Sequence, residues 1–250
     1  MDKRAELLKL AQKRQASRWS YWKKPEKEYK CIGDYNCGAY ECDLVSPYTK
    51  TAGNFDSEIM VMLQDWCSDQ GMLGLDEDAK TLGYIPRLPT NKTLEKLLGA
   101  YFGLGLKQIY GTNLFPFIKL GPMNAPIPCA DLLRAAKEFA LPQISIVKPK
   151  LVICLGLVTF NALRQAYDNG IPIRPLNSAI ESPFDIGTTR IWCQAHTGQF
   201  GQNNRKKGDP NRVSDDWQRM KADYLSHSDM TSNGFATERG PTTILPALLR

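Results

Sequence analysis

The sequence predicts an α/β protein whose parallel sheet is covered by helices on both faces. Four short apolar runs, each followed by a polar or glycine-rich break, are the predicted strands: 59–63, 109–114, 151–155 and 190–195. Helical periodicity fills the intervals between them, and the predicted helices are 93–104, 130–146, 158–167 and, later, 215–226. Alternating strands and helices are typical of parallel sheets that are buried on both faces.

Composition restricts the class of protein. The chain has 250 residues, of which 42% are hydrophobic and 23% charged, as in ordinary globular proteins. Its apolar runs are far shorter than the ~20 residues that span a bilayer. Residues 1–15 carry charges in every turn and therefore lack the apolar region of a signal peptide. With seven scattered cysteines, these features predict reduced thiols in a cytoplasmic protein, and we expect a monomer with no membrane partner.

Basic residues are concentrated in two segments. Residues 1–30 hold ten Lys and Arg side chains against four acidic ones, and are predicted to form a basic amphipathic helix before the main domain at 31–227. The second segment, 205–212, lies in a Gly- and Asn-rich stretch, and residues 228–250 form a predicted tail. Two basic segments fit a partner with a phosphate backbone. A solvated helix face would have the same composition.

Polar side chains follow the predicted strands. Asp65 comes directly after the first strand, Asn113 lies at the end of the second, and His196 follows the fourth. Reactive groups in α/β sheets gather at the carboxyl edge of the strands. We therefore expect these three side chains to meet in one crevice.

Five segments, in their order along the chain, resemble the uracil-DNA glycosylase superfamily over residues 55–225. They are LQDW at 63–66, LPTNKTLEKLL at 88–98, TNLFPF at 112–117, KPKLVICLGLVTFNAL at 148–163 and AHTGQFG at 195–201. The resemblance implies a three-layer α/β/α sandwich around a four-stranded parallel sheet. It also implies an enzyme that flips a pyrimidine nucleotide out of DNA and hydrolyses its N-glycosidic bond.

The resemblance assigns chemistry to the strand-end residues. Asp65 would orient the attacking water and face the positive charge that develops on the sugar. His196 would donate a hydrogen bond to the pyrimidine O2 as the base leaves. Asn113 would read the base, although its carboxamide can pair with uracil in one orientation and with cytosine in the other. A turn-capping Asp, a structural His or a turn-forming Asn would explain each residue by itself.

The family's remaining contacts can be carried over to this sequence. The residues expected to contact the base are Gln64, Trp66, Cys67, Phe115 and Tyr84, and the aromatic ones are equally compatible with a place in the core. The residues expected to contact the DNA backbone are Pro89, Thr90, Thr197, Gly198, Arg205, Lys206 and Lys207. Phe200 stands where the family has an apolar wedge, which fills the hole left by the flipped nucleotide.

Two positions depart from the family's pattern. Thr197-Gly198 replaces the family's Pro-Ser after the His, and Trp66-Cys67 replaces the Pro-Tyr of uracil-specific members. Their Tyr excludes a substituent at C5, so the smaller Cys67 predicts a pocket that admits one. We therefore expect a glycosylase for hydroxymethylated or glucosylated cytosine in phage DNA, acting in antiviral defence. The alternatives are a uracil-DNA glycosylase of base excision repair and a reader that binds modified DNA without cutting it.

The cysteines leave a cofactor question open. Some branches of the family hold a [4Fe–4S] cluster on four cysteines, and the candidates here are Cys31, Cys37, Cys42 and Cys129. Their spacing differs from that of those branches, which place one cysteine directly after the TN segment. An iron–sulfur cluster, or zinc in a basic module unrelated to base chemistry, is therefore an alternative to free thiols. The predicted chemistry requires no cofactor.

Overall fold

The computed structural model describes residues 2–22 and 24–233, with side chains up to residue 227. Its strands are β1 (Ser20–Tyr21), β2 (Lys24–Glu28), β3 (Ile59–Asp65), β4 (Tyr110–Phe115), β5 (Leu151–Leu155), β6 (Phe184–Ile186) and β7 (Thr189–Gln194). The helices are α1 (Lys3–Ala16), α2 (Asp69–Met72), α3 (Glu77–Leu82), α4 (Pro89–Phe102), α5 (Cys129–Ala135), α6 (Leu141–Val147), α7 (Leu157–Asp168), α8 (Leu176–Ile180), α9 (Gln199–Lys206) and α10 (Arg212–Asn233). A π-helical turn at Ala136–Ala140 joins α5 to α6.

The fold is α/β, with a mostly parallel central sheet in the order β4-β3-β5-β7-β6 and helices flanking it, consistent with three α/β/α layers. The four predicted strands correspond to β3, β4, β5 and β7, which are mutually parallel. The expected four-stranded sheet is wrong by one strand, because β6 adds an antiparallel edge to β7. With three residues and a two-residue turn before β7, β6 is too short to show a periodic apolar pattern.

The central strands explain the apolar runs in the sequence. Every residue of β5, and the first five residues of β3, are buried. Strands covered on both faces lose the alternation of apolar and polar residues, and read as continuous apolar segments. Parallel strands place their carboxyl ends at one edge, and there the residues after β3, β4 and β7 come close together.

The predicted N-terminal helix over residues 1–30 is present only in part, as α1, because β1 and β2 form a two-stranded antiparallel sheet in the second half of that segment. The segment packs into the same core as the central sheet. Leu7 and Ala11 are buried, and Trp19 stacks against Phe117 with 4.7 Å between the ring centroids. The expected tail, 228–250, begins inside α10, and residues 234–250 lie outside the described part of the chain. None of the helices between residues 2 and 233 is long and apolar enough to cross a membrane.

Five of the ten basic residues of the N-terminal segment pair with carboxylates in the described part of the protein. Arg14 is fully buried and pairs with Glu41. Four other cations of the segment also meet carboxylates: Lys3 pairs with Asp56, Lys9 with Glu6, Lys13 with Glu138 and Arg18 with Asp34. This segment therefore holds α1 against its neighbours and offers less free positive charge than its composition suggests.

Candidate functional site

A pocket of about 340 Å³ lies at the carboxyl edge of the sheet. Asp65, Asn113 and His196 all line it, as expected from their places at the strand ends. The other polar residues on its wall include Tyr48, Gln64, Tyr84, Thr90, Asn91 and Lys119. The remaining wall is mainly apolar and includes Leu75, Ala79, Ile85, Leu88 and Met123. A mainly apolar pocket with a few convergent polar groups is the usual form of a small-molecule or base site.

Asp65 is the last residue of β3, and its carboxylate is held from two sides. Lys119 Nζ lies 2.9 Å from Oδ2, and the Gln64 side-chain amide donates to Oδ1 at 3.0 Å. Burial raises the pKa of Asp65, and the adjacent Lys119 ammonium opposes that effect. A carboxylate accepts about four hydrogen bonds, so its oxygens retain acceptor capacity toward the pocket.

Lys119 is a member of this site that the sequence analysis missed. Its side chain is only 5% exposed, and its ammonium also donates to the backbone carbonyl of Met123. The feature that could have indicated Lys119 is its position directly after the buried segment 111–118. A lysine beside a buried segment requires a buried partner. The segment resemblance ended at residue 117, two residues before it.

His196 follows β7, and its ring orientation is set by the next loop. Its Nδ1 accepts the backbone N–H of Gly198 at 3.0 Å, which assigns the proton of the neutral ring to Nε2. Partial removal from water lowers the pKa of His196; Asp65 opposes this effect, whereas Lys119 reinforces it. A neutral imidazole that donates through Nε2 is therefore available at the pocket.

Two glycines allow the loop to close around His196. A Cβ atom on Gly201 would lie 2.2 Å from the His196 carbonyl oxygen, and one on Gly198 would lie 2.9 Å from Nδ1. Both contacts are too short for any side chain, so α9 can begin this close to His196 only with these glycines. Thr197, between His196 and Gly198, is buried, and its hydroxyl has no hydrogen-bond partner among the described residues.

Asn113 is buried at the base of the pocket, where Ser46 contacts its amide. The Ser46 hydroxyl lies 2.5 Å from Asn113 Oδ1 and accepts the backbone N–H of Tyr48 at 3.2 Å. A hydroxyl can donate or accept, so this contact is compatible with either orientation of the amide. Ser46 comes from a loop without regular secondary structure, and the sequence analysis did not identify it.

The residues expected to contact the base fall into two groups. Gln64, Trp66, Cys67 and Tyr84 line the pocket; the Trp66 indole donates to the Gly83 carbonyl at 2.8 Å. Burial raises the pKa of Cys67 to about 11, so its thiol is neutral. Phe115 was assigned wrongly, because the N-terminal segment folds over it. It is fully buried, with its ring 4.8 Å from that of Tyr29, and does not line the pocket.

Of the residues expected to contact DNA, some line the pocket or are exposed, whereas Arg205 is buried. Thr90 lines the pocket next to Pro89, the first residue of α4. Phe200 is 86% exposed near the start of α9, and Lys206 and Lys207 at its end are exposed. Arg205 is not available for phosphate. Its guanidinium is buried against Asp216, at 2.5 and 2.8 Å, and donates to Asn177.

The four candidate ligand cysteines give the metal alternative no support. Cys31 is buried, Cys42 is partly buried, and Cys37 and Cys129 are exposed; all are free thiols. Within residues 2–22 and 24–227, no group of three or more His, Cys, Asp or Glu side chains is arranged to hold a metal ion. Of the seven cysteines, all of which lie in the described residues, Cys67 alone lines the pocket.

Three side chains of the pocket, Asp65, His196 and Asn113, supply complementary chemistry. A buried carboxylate can orient a water and accept its proton, a neutral imidazole can donate to a developing anion, and a carboxamide can pair with the edge of a planar ring. The chain matches no known protein family and no curated protein sequence.

Proposed function

We propose that this protein is a DNA glycosylase that hydrolyses the N-glycosidic bond of a flipped, modified pyrimidine nucleotide. The observation that carries the proposal is that Asp65, Asn113 and His196 line one pocket although 131 positions separate the first from the last. In this proposal the fold is a variant of the uracil-DNA glycosylase architecture, with the parallel core β4-β3-β5-β7 as its four strands and β6 added at the edge.

Each group would have one task in the reaction. The base enters the pocket with its hydrogen-bonding edge on Asn113, and a water held by Asp65 attacks C1′ of the deoxyribose. The electron pair of the N-glycosidic bond passes to the base, where His196 Nε2–H donates to the developing negative charge on O2. Asp65 accepts the proton of the attacking water. A neutral His196 fits this task, because the stabilisation grows only as charge develops.

The surface near the pocket supports DNA as the substrate. Phe200 is 86% exposed on α9, which begins three residues after His196. An exposed aromatic ring at this place would fill the gap in the duplex and hold the nucleotide out of the stack. Lys206 and Lys207 lie at the other end of the same helix and would contact the phosphates. The N-terminal basic segment contributes less, since many of its cations are already paired.

The size of the pocket favours a substituted base. Its volume of about 340 Å³ lies in the range of small-molecule pockets, roughly 300–1,000 Å³. A single pyrimidine ring is a small ligand for such a pocket, and in this proposal a group at C5 takes part of the remaining space. Cys67 and Gly71 are small residues on this wall. We therefore place a 5-hydroxymethylated or glucosylated cytosine first among the substrates, which would make the enzyme a defence against phage with such DNA.

Uracil is the second candidate substrate. The Ser46 hydroxyl is compatible with both orientations of the Asn113 amide, and one of these pairs with uracil. In that case the protein would act in base excision repair. Binding of a modified base without cleavage is less compatible with the pocket, because a reader has no need for a buried carboxylate such as Asp65.

Strand cleavage at abasic sites tests the proposal. Duplexes that contain one uracil, one 5-hydroxymethylcytosine or its glucosylated form are incubated with the protein and then treated with alkali. The matched controls are the Asp65→Asn variant and a duplex with ordinary cytosine. We expect cleavage at the modified position by the wild type alone. Intact strands for every modified base, with the protein folded, would contradict the proposal.

A further inference from the structure

Lys119 is a buried cation on the wall of the proposed catalytic pocket. Its Nζ lies 2.9 Å from Asp65 Oδ2, and the two side chains are only 5% and 8% exposed. Among the described residues that line the pocket, it is the one lysine or arginine. None of the segments that resemble the glycosylase superfamily contains it.

The backbone around Lys119 fixes this position. The Ile118 N–H donates to the Lys30 carbonyl and the Asp69 N–H donates to the Lys119 carbonyl, both at 2.9 Å. The ammonium carries three donors, of which one reaches Asp65 and another the Met123 carbonyl. The side chain is therefore held at both ends, and the ion pair is built into the fold.

We propose, on the basis of the glycosylase function above, that Lys119 is a positioning residue that keeps Asp65 ionised and oriented for the attacking water. By binding Oδ2, Lys119 fixes the rotation of the carboxylate. Oδ1 accepts from Gln64 alone among the described residues and therefore retains capacity for a water. Lys119 itself contacts neither the attacking water nor the leaving base in this account.

The physical need for such a residue follows from burial. A carboxylate taken out of water favours its protonated form, and a protonated Asp cannot accept a proton from water. Burial raises the pKa of Asp65, and Lys119 is the strongest influence against it. The titratable groups around Asp65 in the pocket are Lys119, His196, Cys67, Tyr48 and Tyr84. Burial keeps the Cys67 thiol and the tyrosine hydroxyls neutral, and it lowers the pKa of His196.

Two variants separate charge from packing. Lys119→Met keeps much of the apolar stem and removes the charge, whereas Lys119→Arg keeps the charge. We expect Lys119→Met to move the acid limb of kcat to higher pH, by on the order of one pH unit or more, and to lower kcat at neutral pH with little change in KM. Lys119→Arg should restore part of the wild-type pH profile. The control is Lys150→Met, which removes a half-exposed lysine paired with Glu58 at the opposite edge of the sheet.

A second measurement does not depend on catalysis. Carbon-13 NMR of the Asp carboxyl groups, assigned with Asp65→Asn, follows the titration of Asp65 in the wild type and in Lys119→Met. We expect Asp65 of the wild type to be ionised at pH 7 and to titrate at a higher pH in the variant. If Lys119→Met does not fold, the wild-type titration and the Lys119→Arg profile still decide the question.

The outcomes distinguish this inference from the proposed function. An inactive wild type whose Asp65 titration still depends on Lys119 removes the glycosylase activity alone. An active wild type whose acid limb and Asp65 titration are unchanged in folded Lys119→Met overturns the role of Lys119. A covalent Lys119 adduct, trapped with borohydride on DNA that already contains an abasic site, would also overturn it, because the amine would then be a nucleophile.

Discussion

Two buried ion pairs in this protein have similar components and different surroundings. Arg205 and Asp216 lie between α9 and α10, where Asp216 accepts from Arg205 and Arg219 and the third contact of Arg205 is Asn177. Lys119 and Asp65 lie at the sheet edge, and both line the pocket. The polar atoms of Arg205 and Asp216 are hydrogen-bonded to other groups of the protein. Lys119 and Asp65 retain hydrogen-bonding capacity and line the pocket. Unused hydrogen-bonding capacity beside a cavity, more than burial or charge, therefore distinguishes the candidate active site from the scaffold.

Asp65→Asn should produce the largest loss of activity, because it alters the ion pair that lines the pocket. The substitution is nearly isosteric but leaves the buried Lys119 ammonium without its opposite charge, so we expect a lower free energy of unfolding in a protein that still folds and binds DNA. Turnover should fall on the order of 10²- to 10⁴-fold, the usual contribution of a catalytic acid or base. Single-turnover kinetics with a gel-shift control measure both quantities. Near-normal turnover would remove Asp65 from the mechanism.

Arg205→Met should produce the opposite pattern. Removing one partner of a buried pair leaves Asp216 charged without its main partner, which destabilises a protein by about 3–5 kcal/mol. We expect a large decrease in the free energy of unfolding, measured with urea, and near-normal kcat for the fraction that remains folded. Unchanged stability with weaker DNA binding would instead make Arg205 the phosphate contact that its sequence position predicts.

His196→Ala tests the leaving-group side of the pocket. Loss of one preorganised donor to a developing anion lowers kcat on the order of 10²- to 10³-fold. We expect KM to change little, because the hydrogen bond strengthens only as charge develops. A change confined to KM would identify His196 as a DNA contact or a structural residue.

The pH profile of the wild type follows from the same two residues. Since burial raises the pKa of Asp65 above its ordinary 3.8, kcat/KM should decrease with falling pH while the pH is still above that value. His196 has a pKa lowered from 6.5 and therefore stays neutral at pH 7. A rate that stays constant down to pH 3.8 would show that Asp65 does not have to be ionised.

Cys67→Tyr should have the smallest and most selective effect. A phenol ring on the pocket wall would occupy the space proposed for a C5 substituent. We expect excision of hydroxymethylated or glucosylated cytosine to fall, on the order of 10- to 200-fold for a steric mismatch, while uracil is affected less. Competition between the two substrates in one reaction measures this ratio. Equal loss on both would indicate that the ring disturbs the fold.

The sequence predicted the site residues at the strand ends better than the residues whose contacts come from distant segments. Asp65, Asn113 and His196 follow from strand ends, because local apolar patterns locate strands and parallel strands end at one edge. The short strand β6 lacked such a pattern. Phe115 and Arg205 were assigned wrongly and Lys119 was missed, because each depends on a distant segment. Trp19 and Tyr29 cover Phe115, Asp216 binds Arg205, and Asp65 binds Lys119. Local sequence does not specify those partners.

Identification of the released base tests the central claim most directly. Wild type and Asp65→Asn are incubated with DNA that contains uracil, 5-hydroxymethylcytosine or glucosylated 5-hydroxymethylcytosine, and the small-molecule fraction is analysed by mass spectrometry. We predict that the wild type releases a free modified cytosine base and leaves one abasic site for each base released. Asp65→Asn should release the base on the order of 10²- to 10⁴-fold more slowly. Release of uracil alone would contradict the open pocket at Cys67. Release of no base from any of these DNAs would contradict the account of the pocket as a glycosylase site.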